Sequence, residues 1–142
     1  MIKIKIKSLI LIALVLTPYA HANHNQFEVI NNPVLNLSEN YNRTSPSDNL
    51  LIEECKKWNL NKKFIDKIFK ISEQYEHSPY REFNQTPCDI VGKAKLNNEI
   101  WNFHINGGGI TTFTNDDKII YLGCNTKECE PFFIIPYDGM NP

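Results

Sequence analysis

Four cysteines, Cys55, Cys88, Cys124 and Cys129, are the residues whose type and spacing most narrowly limit the chemistry open to this chain. Thiolates ligate metals or attack electrophiles, whereas thiols in an oxidising compartment pair instead. No C-x-x-C occurs, and four-thiolate zinc sites favour tighter paired spacing, so the pattern argues against a metal centre. An even number of cysteines in an oxidising compartment reads as two disulfides, with three connectivities open. Cys124 and Cys129 close a short loop easily, which leaves Cys55 with Cys88; the topology expected below also permits Cys88 with Cys124. By the chain-entropy argument the short loop contributes about 2 kcal/mol and the longer one about 4 kcal/mol. Cysteines consumed in this way are not nucleophiles.

Two histidines stand where acid–base chemistry would be sought. His104 lies in Trp101-Asn102-Phe103-His104-Ile105, just ahead of Gly107-Gly108-Gly109, and His77 lies near Glu76, Tyr80 and Arg81. A general base must reach the proton it takes, and neither histidine has a nucleophile at a recognisable motif spacing. The glycine run offers consecutive backbone N–H groups, as phosphate loops do. It lacks the following Lys-Ser/Thr and the strand-to-helix setting, and a hairpin turn fits it better. No G-x-S-x-G, H-E-x-x-H or EF-hand pattern is present, so the sequence assembles no active site. Tyr80, Arg81 and His104 are better candidates for a contact surface. Tyr and Arg are favoured at interface centres, and His104 alternates away from its aromatic neighbours.

The N-terminus bears on the compartment. Lys3, Lys5 and Lys7 precede an apolar run over residues 9–16, Pro18 breaks it, and Ala20-His21-Ala22 supplies a small-x-small cleavage signature. Residues 1–22 therefore read as a cleavable signal peptide, and the expected location is periplasmic or secreted. The run is far shorter than the ~20 apolar residues of a membrane span, so no stable insertion is expected after cleavage. Removing it takes the chain from 142 residues to 120, enough for one core. Lys+Arg falls from 15 to 12 against 16 Asp+Glu, a net charge of −4. Nucleic acid requires a concentrated basic face, and the lysines of residues 56–70 are offset by Glu53, Glu54, Asp66 and Glu73, so no nucleic-acid partner is expected.

Residues 23–49 are rich in Asn, Ser and Pro and read as a flexible lead-in, with FEVI at 27–30 as an optional edge strand. A single domain is expected over residues 50–142. Residues 51–58 suit an extended segment or a helical turn. Asn61 then stands as an N-cap, and Phe64, Ile65, Ile68, Phe69 and Ser72 recur at helical spacing opposite Lys62, Lys63, Asp66, Lys67, Lys70 and Glu73. The pattern predicts an amphipathic helix over residues 62–76, ended by Pro79 through its effect on Ser78. From Cys88 the helical period gives way to alternation. Ile90, Gly92, Ala94 and Leu96, then Trp101, Phe103 and Ile105, then residues 110–113 and 119–124, read as four strands. Turns at Asn97-Asn98, Gly107-Gly108-Gly109 and Asn115-Asp116-Asp117 join them. Residues 132–135, fenced by Pro131 and Pro136, would add a fifth. The expected fold is α+β, one amphipathic helix packed on a four- to five-stranded antiparallel meander sheet, with two disulfides.

These features fall in a definite order. Cys55 precedes the helix of Phe64 to Phe69; the aromatic stretch Tyr75 to Tyr80 leads to Pro87-Cys88; Gly92 follows; the Trp101 strand runs into Gly107-Gly108; and Cys124 and Cys129 precede Pro131. This order resembles an uncharacterised family of small exported proteins of Gram-negative bacteria, over more than half of the chain that follows residue 22. The resemblance implies export and a disulfide-bonded α+β fold, and it brings no catalytic residues. The gap between Cys124 and Cys129 is wider than in that pattern.

The expected function is that of a small exported binding protein, without cofactor or metal, that acts by contact on another exported protein in an inhibitor or immunity-type role. One alternative is a small periplasmic hydrolase or envelope-processing enzyme using His77 or His104. The criterion for it is a histidine in a concave pocket with an acidic neighbour. Another is a cell-wall or small-ligand binding module using Asn102, His104 and Asn106. Residues 132–137, FFIIPY, are expected either to pack on the sheet or to meet a partner.

Overall fold

The computed structural model describes residues 26–38 and 46–140; the expected signal peptide lies outside the described residues. In chain order the elements are β1 (Glu28–Val29), β2 (Val34–Leu37), α1 (Pro46–Lys57), α2 (Lys62–Ile71), β3 (Glu73–Tyr75), β4 (Cys88–Leu96), β5 (Glu99–Asn106), β6 (Ile110–Asn115), β7 (Lys118–Gly123) and a 3-10 turn (Lys127–Phe132).

Strands β4 to β7 form the antiparallel meander that alternation predicts. Asn97, Asn98 and Asp116 take φ of 49°, 65° and 50°. Short hairpin turns need this left-handed backbone, and Asn and Asp tolerate it. The turns lock the register, so Trp101, Phe103, Ile105, Phe113 and Leu122 all face one side.

The sheet has seven strands, more than the four to five expected. Two come from the stretch read as a lead-in: β1 and β2 lie one after the other along the outer edge of β4. The Asn31 side chain bridges the bend between them, accepting the Lys93 N–H at 2.7 Å. At the other edge β3 pairs with β7, because the helix expected to run to residue 76 stops at Ile71. Ser72 is extended there, and its N–H and hydroxyl both donate to the Ile68 carbonyl, at 3.0 and 2.6 Å. Past Ile71 the helical stripe has no further buried apolar residue to hold, and strand pairing takes the chain instead.

Among the described residues there are also two α-helices where one was expected. Residues 51–58 belong mostly to α1, whose Pro46 suits a first helical turn. Of α1 only Ile52 and Cys55 are buried, too narrow a stripe to read from spacing, and the Cys55–Cys88 disulfide ties it to the start of β4. The second disulfide is the local one, Cys124–Cys129, so the cysteines are spent as expected in two bridges. No fifth meander strand forms at residues 132–135. The 3-10 turn ends there, and the N–H groups of Ile134 and Ile135 both donate to the Gly107 carbonyl, at 2.9 and 3.2 Å. Phe133 is buried and its neighbours are half-buried, so most of this segment packs against the protein.

The core lies between α2 and the inner face of the sheet. Ile65, Ile68 and Phe69 are fully buried. Phe69 meets Phe103 and Phe113 edge-on, with ring centres 5.4 and 4.9 Å apart, and Phe27 stacks on Phe113 at 3.7 Å. Gly92, paired with Phe103, leaves room for that ring; a Cβ there would lie 2.5 Å from it.

Because Phe27 sits inside this cluster, Phe27→Ala should destabilise the protein by about 3 kcal/mol in urea unfolding, whereas Ile30→Ala, at an exposed position, should stay within about 0.5 kcal/mol.

Candidate functional site

Alternation leaves the outer face of the sheet without a helix. Val91, His104, Thr112, Tyr121 and Tyr75 are paired in succession from β4 to β3 and form one row across it. Asp89 and Asn106 pair on the same face, one step toward the end where residues 76–87 fold back. Phe83 anchors that return. It is buried, and a Cβ on Gly123 or Gly109 would lie 2.5 or 3.2 Å from its ring. Its ring also meets those of Tyr75 and Tyr137.

The loop is clamped through Asn106. Its side-chain oxygen accepts the N–H groups of Thr86 and Gly108, at 3.1 and 3.0 Å. Its amide donates to the Thr86 carbonyl and to Asp89 Oδ1, both at 3.0 Å. Thr86 Oγ1 accepts the Gly107 N–H at 2.9 Å, and the Gly109 N–H donates to the Asn106 carbonyl at 3.1 Å. All three N–H groups of the glycine run are therefore committed internally, and the run cradles no anion. Gly108 is required by proximity, since any Cβ would collide with the Asn84 carbonyl.

Between the loop and the sheet lies a cleft of about 220 Å³. Ser78, Tyr80 and Gln85 line it from the loop, and Asp89, His104 and Thr112 from the sheet. Of the expected contact residues, Tyr80 and His104 thus share one cleft. Arg81 is exposed in the turn closed by the Glu82 N–H on the Pro79 carbonyl, and neither it nor His77 lines the cleft. His104 meets the criterion of a concave site containing an acid, Asp89, but no hydrogen bond joins it to Asp89, Ser78 or Thr112. Among the described residues there is no base–nucleophile pair and no group of three or more His, Cys, Asp or Glu side chains placed to hold a metal. Every cysteine is in a disulfide.

Asp89 and Thr112 escaped the sequence reading although alternation beside Ile90 and Phe113 carries their outward direction. Ser78 and Gln85 could not be found in that way, because the fold-back depends on Phe83 meeting two distant glycines. No family model, curated protein or solved structure matches this chain. Among the described residues no helix is long and apolar enough to cross a membrane.

Burial holds the Tyr75 phenol above the usual tyrosine range, with Glu73, Glu82 and Tyr137 adding to the effect and the Asn125 amide, donating at 2.9 Å, opposing it. The folded protein therefore keeps this proton more tightly than the unfolded chain. The resulting stability is complete below about pH 10 and is lost as pH rises through the folded value. Tyr75→Phe should lessen the alkaline fall in stability measured by urea unfolding; an unchanged slope would contradict the assignment. Asn106→Ala, which strips partners from Thr86, Gly108 and Asp89, should cost about 2–3 kcal/mol in the same measurement.

Proposed function

We propose that this chain is a small exported binding protein, stapled by two disulfides, that acts by contact on another exported protein in an inhibitor or immunity-type role. The observation that carries this reading is the cleft on the open sheet face, bordered by exposed Tyr80 and His104 and framed by a loop pinned through Asn106 and Phe83. Its volume, about 220 Å³, is below the roughly 300–1,000 Å³ of small-molecule sites and suits a single side chain inserted from a protein partner. A rigid frame with an exposed tyrosine at its border is also what interface hot spots use, since little side-chain freedom is lost on binding.

Two disulfides with no free cysteine among the described residues fit an oxidising compartment, and with the N-terminal pattern they support a periplasmic or secreted location. The hydrolase alternative is weakened by the missing base–nucleophile contact at His104. The cell-wall module is weakened by the small cleft.

Pull-down from a periplasmic extract with the oxidised protein should recover a stoichiometric protein partner. Tyr80→Ala and His104→Ala should each weaken capture roughly tenfold, and Arg81→Ala less. Absence of a stoichiometric partner, or saturable binding of glycan fragments in its place, would contradict the proposal.

A further inference from the structure

A second surface lies on the opposite side of the sheet. The outer side of α2 and the 3-10 turn enclose a groove of about 640 Å³, lined by Lys63, Phe64, Asp66, Lys67, Lys70 and Phe132. Its floor is aromatic and its rim cationic. Phe64 is 42% exposed, its ring centre lies 5.5 Å from that of Phe132, and Lys67 Nζ lies 5.8 Å from the Phe132 centroid. Lys63, Lys67 and Lys70 follow one another at helical spacing along the same side. Asp66 stands among them, but its Oδ1 accepts the Val29 N–H at 3.4 Å, and Lys63 and Lys67 form no ion pair among the described residues.

This arrangement works against the isolated helix. Like charges one turn apart repel, and the first turn of α2 has Lys62 and Lys63 but no acid, opposite in sign to what the macrodipole favours. In a chain with 16 Asp+Glu and 15 Lys+Arg, composition does not force lysines onto one helix. An anionic occupant relieves both penalties. The far wall is already built: the Cys124–Cys129 bridge closes the turn, and Trp58 Nε1 donates to the Phe132 carbonyl at 2.8 Å. Little ordering is left for an occupant to supply.

We propose that this groove docks an acidic, apolar-bearing segment of a partner protein, its carboxylates on Lys63 and Lys67 and an apolar side chain on Phe64 and Phe132. The concave shape selects a peptide segment over an anionic membrane, because surface binding to a bilayer inserts protruding apolar residues and here Phe64 leans on Phe132. The groove is separated from the His104 cleft by the sheet, so the two surfaces can be tested apart.

Fluorescence anisotropy of the oxidised protein decides it, using a labelled synthetic peptide of alternating Glu and Leu/Phe, its counterpart with Lys for Glu, and phosphatidylglycerol-containing vesicles. Saturable binding of the acidic peptide alone is expected. It should weaken roughly tenfold with Lys63→Glu plus Lys67→Glu, several-fold with Phe64→Ala and markedly in about 0.5 M salt, and be unmoved by His104→Ala. Circular dichroism checks that α2 persists; if the charge reversal unfolds it, Lys63→Gln plus Lys67→Gln is measured in its place with the same direction expected. Absence of saturable peptide binding, binding indifferent to these substitutions, or association with vesicles alone would each overturn the proposal.

Discussion

The edge-on packing of Phe69 against Phe103 and Phe113 decides which face of the meander is inside. A one-residue slip of β5 against that helix would exchange Phe103 for His104 and turn the polar row of the sheet into the core. The cost of burying such groups without partners far exceeds what the hairpin turns alone could oppose. Phe27 closes the cluster by stacking on Phe113, which is how a short edge segment with few apolar residues becomes part of the core. The open face is the consequence. With α2 packed on the inner side, the outer side of the seven-stranded sheet is left to loops and solvent, and residues 76–87 cover only one end.

The two disulfides hold elements that the helix–sheet core does not itself secure. α1 buries only Ile52 and Cys55, so the Cys55–Cys88 bridge holds it to β4 where hydrophobic contact is limited. Cys124–Cys129 closes the turn that presents Phe132 to α2 and leads Ile134 and Ile135 onto the Gly107 carbonyl. Bridges of these loop lengths contribute about 2–4 kcal/mol each, against about 5–15 kcal/mol for the whole of a typical domain.

The meander was legible because alternation and turn chemistry are local: Trp101, Phe103 and Ile105 declare a face, and Asn97-Asn98 declares a hairpin. The helix was legible through Ile65, Ile68 and Phe69, but its end was not, since β3 forms by pairing with β7, more than 40 residues away. β1 falls where the optional edge strand at residues 27–30 was expected, but β2 was hidden for the same reason as β3, because its ladder partner is β4 and its own composition resembles a linker. At the site, the outward direction of His104 was readable and its meeting with Tyr80 was not. That meeting depends on Phe83 seating over Gly123 and Gly109, a contact no periodicity encodes.

With one side of the sheet a packed core and the other proposed as a contact surface, partner binding should change protection from solvent on the outer side. Hydrogen–deuterium exchange of the oxidised protein, alone and mixed with a protein recovered by pull-down, tests this most directly. New protection should appear in residues 76–87 and in β5 and β6 around His104 and Thr112, with the α2 core amides already slow in the free protein. Protection confined to other parts of the chain, or none beyond that of the free protein, would contradict the account.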